Sequence, residues 1–178
     1  MPRLKLSREE LKERLKGMKL LALDVDGVLT DDKIYFGPDG FEMKQFNISD
    51  GLMMVLAERS GLPIAIVSGR YSEATNTRMK DLGIRHVLQG MKDKVKQITP
   101  LLEKLNLGFE QVAFVGNEIL DISLAEEVGL AIAVADSSPE LIEIVDYVTT
   151  KTGGNGAVRE VIECWFEAIN KDPKSFLV

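Results

Sequence analysis

The stretch Leu21–Asp32, LALDVDGVLTDD, runs an apolar strand straight into two carboxylates, Asp24 and Asp26, with Gly27 behind them. An aspartate at a strand tip can attack phosphorus and form an acyl phosphate. A second carboxylate two residues on can protonate the leaving oxygen, then deprotonate the water that clears the intermediate. Like charges this close raise one pKa, which suits acid–base work near neutral pH. A bound Mg²⁺ would neutralise both the carboxylates and the transferring phosphate. Taken alone, the stretch fits two polar turn residues at a strand end equally well.

Three further segments carry residues of matching chemistry. Ile66-Val67-Ser68-Gly69-Arg70 ends an apolar run with a hydroxyl and a glycine, which lets backbone N–H groups approach a phosphate closely. Gly90-Met91-Lys92-Asp93-Lys94 places lysines at a helix start, where they oppose the helix dipole unless an anion compensates them. Spacing alone does not choose between Lys92 and Lys94. Gly116-Asn117-Glu118-Ile119-Leu120-Asp121 offers oxygen donors that could complete a metal site with Asp24, or could cap the helix that follows.

These residues need elements to position them. Ser7-x-x-Glu10 is a capping box for a helix from Ser7 to Met18. The pattern then predicts strands over Leu20–Val25, Pro63–Val67, His86–Leu88, Val112–Val115, Leu130–Val134 and Tyr147–Thr149. It predicts helices over Asp50–Ser60, Ser72–Leu82, Lys92–Leu105, Ile119–Val128, Pro139–Ile144 and Gly156–Asn170. Pro100 should kink or split its helix. Gly37-Pro38-Asp39-Gly40 is a turn between Lys33–Phe36 and Phe41–Phe46, which reads as a β-hairpin. Short apolar strands alternating with helices predict a doubly wound parallel α/β sheet, Rossmann-like, with a hairpin flap over 32–46 and no large cap domain. The chain reads as one domain over 1–178 with a tail over 171–178. Every segment singled out falls at a strand's carboxyl end, where such sheets bind ligands.

The bulk composition narrows the functions. A net charge of −6 argues against a nucleic-acid surface, which needs a basic patch. The apolar runs are too short to span a bilayer, and the charged start carries no apolar signal region, so a cytoplasmic protein is expected. Cys164 and His86 are the sole cysteine and histidine, which excludes thiolate clusters and multi-histidine zinc sites. Both read as structural, Cys164 as a small hydrophobe. Gly153-Gly154-Asn155-Gly156 lacks the third glycine of a dinucleotide fingerprint.

In their order along the chain, Asp24-x-Asp26, Ser68, Lys94 and the Asn117–Asp121 segment resemble the four motifs of the haloacid dehalogenase superfamily. The stretches DVDGVLTDD, FNISDG, SGR, LQGMKDK, GLAIAVADSSPE and GGNGAVRE narrow the resemblance to the branch acting on acidic sugar phosphates. The resemblance implies Asp24 as nucleophile and Asp26 as general acid/base. It implies that Ser68, Gly69 and Lys94 bind phosphate. It implies Mg²⁺ on Asp24, the Asp26 carbonyl and Asn117, supported by Glu118 and Asp121. The acid at the second position of the first motif favours a phosphatase over the superfamily's ATPases. The implied substrate is 3-deoxy-D-manno-octulosonate 8-phosphate, a lipopolysaccharide precursor, or else a nonulosonate 9-phosphate. Asp50, Arg70 and Arg159 are the candidate substrate contacts. Relatives form homotetramers through such hairpins, and the apolar Ile34, Tyr35, Phe36, Phe41 and Phe46 fit that assembly. The tail is expected to fray or to enter a neighbour's site.

Two departures from the family pattern stand out. Asn117 replaces the usual aspartate and so adds no charge. A unit-charge pair about 4 Å apart is worth roughly 4 kcal/mol at an effective dielectric of about 20, so metal affinity should fall. Ser49 stands where a basic residue is usual. A catalytically weakened sugar-phosphate-binding or regulatory module is therefore the second expectation. A receiver domain is disfavoured, because its phospho-acceptor would end the third strand, where His86-Val87-Leu88-Gln89 has no acid.

Overall fold

The computed structural model describes residues 4–177. The chain opens with α1 (Arg8–Lys16), where the Ser7–Glu10 capping box forms and Leu11 and Leu15 are buried. Then follow β1 (Leu20–Leu23), the hairpin strands β2 (Tyr35–Phe36) and β3 (Glu42–Met43), α2 (Ile48–Ser60), β4 (Ile64–Ser68) and α3 (Glu73–Leu82). The second half runs β5 (His86–Gln89), α4 (Lys94–Leu105), β6 (Val112–Gly116), α5 (Ile122–Glu127), β7 (Leu130–Ala133), α6 (Pro139–Ile144), β8 (Tyr147–Val148) and α7 (Ala157–Ala168).

Six strands form one parallel sheet in the order β5-β4-β1-β6-β7-β8, and β2-β3 pair antiparallel apart from it. β1 is central and wholly buried, which explains why Leu20–Leu23 reads as an unbroken apolar run. It pairs with β4 through Leu23↔Ile66 and with β6 through Leu23↔Val115. One face packs against Leu11 and Leu15 of α1, Met54 of α2 and Val161 of α7. The other packs against Ile98 of α4, Leu124 of α5 and Leu141 of α6. Each fully buried Leu, Ile or Val side chain contributes about 1.5–3 kcal/mol. The chain winds outward from β1 in both directions, so the sheet order reverses beside β1, where such folds open a ligand crevice.

Several expected boundaries shift, each for a local reason. α2 begins at Ile48, because the Asn47 side chain accepts the N–H groups of Ser49 and Asp50 and starts the helix early. The expected Ile119–Val128 helix opens as a 3₁₀ turn, Ile119–Asp121, before α5. The hairpin strands shorten to two residues each, since no third strand extends their ladder. α4 runs as one element through Pro100, which is exposed, so the carbonyl it leaves unpaired meets water. Among the described tail residues, Pro173–Phe176 forms a 3₁₀ turn rather than a frayed end. Phe176 stacks 5.9 Å from Phe166, and Arg59 donates to the Phe176 carbonyl at 3.0 Å. Phe176 thus lies on its own α2 and α7.

Candidate active site

The β1 ladder continues one residue past Leu23, where the Asp24 N–H donates to Val115 O at 3.0 Å. Asp24 therefore points from the tip of the central strand. The chain then turns at Gly27, whose φ of +79° suits glycine. A Cβ there would come within 1.9 Å of the Asn117 amide, so glycine also admits the β6 loop. Gly153 approaches the same turn so closely that a Cβ would fall 1.7 Å from Gly27 O. The sequence GGNG is thus a packing device beside the site, not a nucleotide loop.

A cavity of about 340 Å³ opens at these strand ends. Asp24, Asp26, Ser68, Gly69, Lys94 and Asn117 line it, with Arg70 and Glu118 at its wall. Asp32, Lys92 and Leu120 complete the lining. Lys94 starts α4 directly after its N-cap Asp93 and is almost fully buried. Its Nζ lies 3.0 Å from Asp24 Oδ1 and bonds Asp121 Oδ1. Lys92 lines the rim but has no such partners, so geometry selects Lys94 as the buried cation.

Asp121 explains why the segment after β6 has its shape. One carboxylate oxygen takes Lys94; the other accepts the N–H groups of Asn117 at 2.8 Å and Glu118 at 3.1 Å. Both oxygens are spoken for, so Asp121 positions Lys94 and the loop. A Cβ at Gly116 would press to 2.7 Å from Asp121 Oδ2, so glycine is needed there. Glu118 turns its carboxylate onto the N–H of Ile119 at 3.0 Å. Burial, joined by the charge of Asp121, pushes the Asp24 carboxyl up to about 7 against the pull of Lys94. Burial works to lower the Lys94 pKa, but Asp24 and Asp121 outweigh it and raise it.

The donors present fit a hard divalent cation. Asn117 Oδ1 is buried with no hydrogen-bond partner, on a residue that lines the same cavity as Asp24 and Asp26. A buried acceptor left unpaired is costly, and a cation would satisfy it. Among the described residues no group of three or more His, Cys, Asp or Glu is placed to hold a metal, so a cation here would also need the Asn117 amide oxygen and backbone carbonyls. Ser68 is buried, its Oγ donating to Arg70 O at 3.0 Å and its carbonyl accepting from Gln97 at 3.1 Å. That turn fixes Gly69 at the cavity wall.

Two expected substrate contacts lie elsewhere. Asp50 is buried, and its carboxylate accepts the N–H groups of Gly156 at 3.2 Å and Arg159 at 2.7 Å. It caps α7 from α2 and does not face the cavity. Arg159 pairs with Glu163 at 2.6 Å beside a separate polar pocket that includes Ser49. Arg70 does reach the wall, held by Glu42 of the hairpin. Sequence reasoning missed Lys44, whose Nζ sits 2.5 Å from Asp26 Oδ1. The signal was strand alternation: Glu42 and Lys44 share one face of the hairpin, opposite Phe41 and Met43.

The sequence profile of the haloacid dehalogenase-like hydrolases matches residues 84–162. The chain is 45% identical over 150 residues to the 3-deoxy-D-manno-octulosonate 8-phosphate phosphatase of Escherichia coli K12, covering 84% of this chain and 80% of that protein. It belongs to the haloacid dehalogenase-like phosphatases. The Yersinia pestis 3-deoxy-D-manno-octulosonate 8-phosphate phosphatase superposes with a TM-score of 0.88 at 40% identity, covering 90% of this chain and 87% of that one. The Moraxella catarrhalis phosphatase of the same name was crystallised with magnesium, phosphate and KDO. It gives a TM-score of 0.86 at 39% identity over 90% of this chain and 92% of its own. The family membership and the parallel sheet expected from the sequence are thus both found. As a member of this family, the chain is a phosphoric monoester hydrolase.

Proposed function

We propose that this phosphatase is Mg²⁺-dependent and hydrolyses 3-deoxy-D-manno-octulosonate 8-phosphate through an aspartyl phosphate on Asp24. The observation that carries the chemistry is the ionic chain Asp24–Lys94–Asp121 at the floor of a cavity that also holds Asp26, Ser68 and the unpartnered Asn117 Oδ1. The substrate is supported by the names of the relatives in Escherichia coli, Yersinia pestis and Moraxella catarrhalis.

In this reading Lys94 and the Ser68–Gly69 turn hold the phosphoryl oxygens. Asp24 attacks phosphorus in line. Asp26 gives a proton to the departing sugar oxygen, then takes one from the water that hydrolyses the acyl phosphate. Asp24, the Asp26 carbonyl and Asn117 Oδ1 would hold Mg²⁺, which supplies charge neutralisation at the transferring phosphoryl group. Arg70 offers a cation at the cavity wall for an acidic sugar.

Assembly belongs to the same proposal. Phe36 and Phe41 of the hairpin are 66% and 68% exposed, which is costly for an isolated chain. We read the flaps as the contacts of a homotetramer, and sedimentation equilibrium tests it; a monomer at micromolar concentration contradicts it. No helix among the described residues is long and apolar enough to cross a membrane. A cytoplasmic setting goes with this reading.

Asn117 favours a second reading, in which weak cation binding leaves a sugar-phosphate-binding or regulatory tetramer. Phosphate release from a panel of sugar acid phosphates, nonulosonate 9-phosphates included, across a Mg²⁺ titration decides among them. Preferred turnover of the octulosonate ester supports the first reading. Preferred turnover of a nonulosonate ester reassigns the substrate. No turnover at high Mg²⁺, restored by Asn117→Asp, supports the second.

A further inference from the structure

We propose that Lys44 is a positioning residue for Asp26: the hairpin flap delivers an ammonium to one oxygen of that carboxylate and leaves the other for the leaving group. This rests on the aspartyl-phosphate reading above.

Lys44 follows β3 on the return arm of the hairpin. Its side chain is wholly withdrawn from water, with Nζ 2.5 Å from Asp26 Oδ1 and 3.8 Å from Glu42 Oε1. A shielded lysine needs acidic partners, and removing one is costly. Glu42 is itself fixed, bonding Arg70 Nη2 and accepting the Ser72 hydroxyl at 2.7 Å. The flap is therefore pinned to the loop after β4 while its lysine reaches the loop after β1. Asp26 keeps a quarter of its side chain exposed and lines the cavity.

The chemistry follows from which oxygen is occupied. An N–H donor on Oδ1 opposes a proton on that same oxygen. The transferable proton is thereby assigned to Oδ2. In the first step an Asp24 oxygen bonds phosphorus and the phosphorus–ester oxygen bond breaks. The Oδ2 proton passes to that ester oxygen, which leaves as the sugar hydroxyl. The flap thus sets the acid's geometry from outside the sheet.

A lysine that merely clamps the flap would affect all substrates alike. A lysine that orients the acid matters most when the leaving oxygen needs a proton. Lys44→Met and Lys44→Gln should lower kcat/KM for the best sugar phosphate by about 100-fold, the scale of general acid catalysis. For p-nitrophenyl phosphate, whose phenolate departs unprotonated, the fall should be under about threefold. Lys44→Arg should return the sugar phosphate value to within about tenfold of the parent. Equal losses on both esters in either uncharged variant overturn the proposal. Asp26→Asn, assayed alongside, must show the same split. If it shows none, the role of Asp26 itself falls; if it does and Lys44→Met does not, only the Lys44 assignment falls.

Discussion

The ammonium of Lys94 stands between two buried carboxylates, 3.0 Å from Asp24 Oδ1 and bonded to Asp121 Oδ1. It also lies 5.7 Å above the Phe114 ring. One cation thus ties the end of β1 to the loop after β6 while lining the cavity. Lys94→Met leaves two negative charges buried without it. Breaking a buried pair by removing one partner costs about 3–5 kcal/mol. Urea unfolding should show that loss, and adding Asp121→Asn should recover part of it. Activity should stay low in both variants, since the phosphate loses its cation either way. Full activity in Lys94→Met would refute its assignment to phosphate.

In the proposed function Asn117 would give Mg²⁺ an uncharged donor where an aspartate would add a charge. Asn117→Asp should lower the Mg²⁺ concentration for half-maximal activity by at least about tenfold, the effect of about 1.4 kcal/mol. A Mg²⁺ titration measures it. An unchanged midpoint contradicts Asn117 as a ligand.

Asp50 is a helix cap. Its carboxylate satisfies the first N–H groups of α7 from the first turn of α2. Asp50→Ala should cost about 1–2 kcal/mol, the scale of a lost cap, and leave KM for the sugar phosphate unchanged. A raised KM at unchanged stability would return Asp50 to the substrate site.

The strand tips and the polar residues that end them were legible in the sequence, because apolar runs and their terminal polar residues are local signals. Asp24, Ser68 and Asn117 could be placed from such runs alone. Asp50 could not, because its partners at Gly156 and Arg159 lie more than a hundred residues away and only the packing of α2 on α7 brings them together. Lys44 was hidden for a related reason. The hairpin announced itself by apolar residues and a turn, while the fold alone turns its charged face onto Asp26. Spacing alone did not separate Lys92 from Lys94; the resemblance pointed to Lys94, and the Asp93 cap, which fixes where α4 begins, buries that one.

Alkaline pH should weaken the fold. Burial pushes the Cys164 thiol up to about 11. Burial and the neighbouring Glu160 push Tyr147 up to about 12. Both groups stay neutral in the fold where the unfolded chain ionises, so the folded state holds more protons and stability falls as pH rises. The contribution is whole below pH 9.0, the ordinary thiol value, and is lost as pH rises through about 11. For Tyr147 the loss begins above 10.0 and runs through about 12. Each pKa unit corresponds to about 1.4 kcal/mol. Urea midpoints at pH 7.5 and 10.5, in the parent and in Cys164→Ala and Tyr147→Phe, measure this. Each variant should show a shallower loss; parallel losses would contradict the assignment.

The most direct measurement is hydrolysis of the best sugar phosphate by Asp24→Asn at saturating Mg²⁺, using protein freed of host phosphatase. The amide cannot form the acyl phosphate, so turnover should fall by at least about a thousandfold. Hydrolysis at the parental rate would contradict the account, because phosphoryl transfer would then not pass through residue 24.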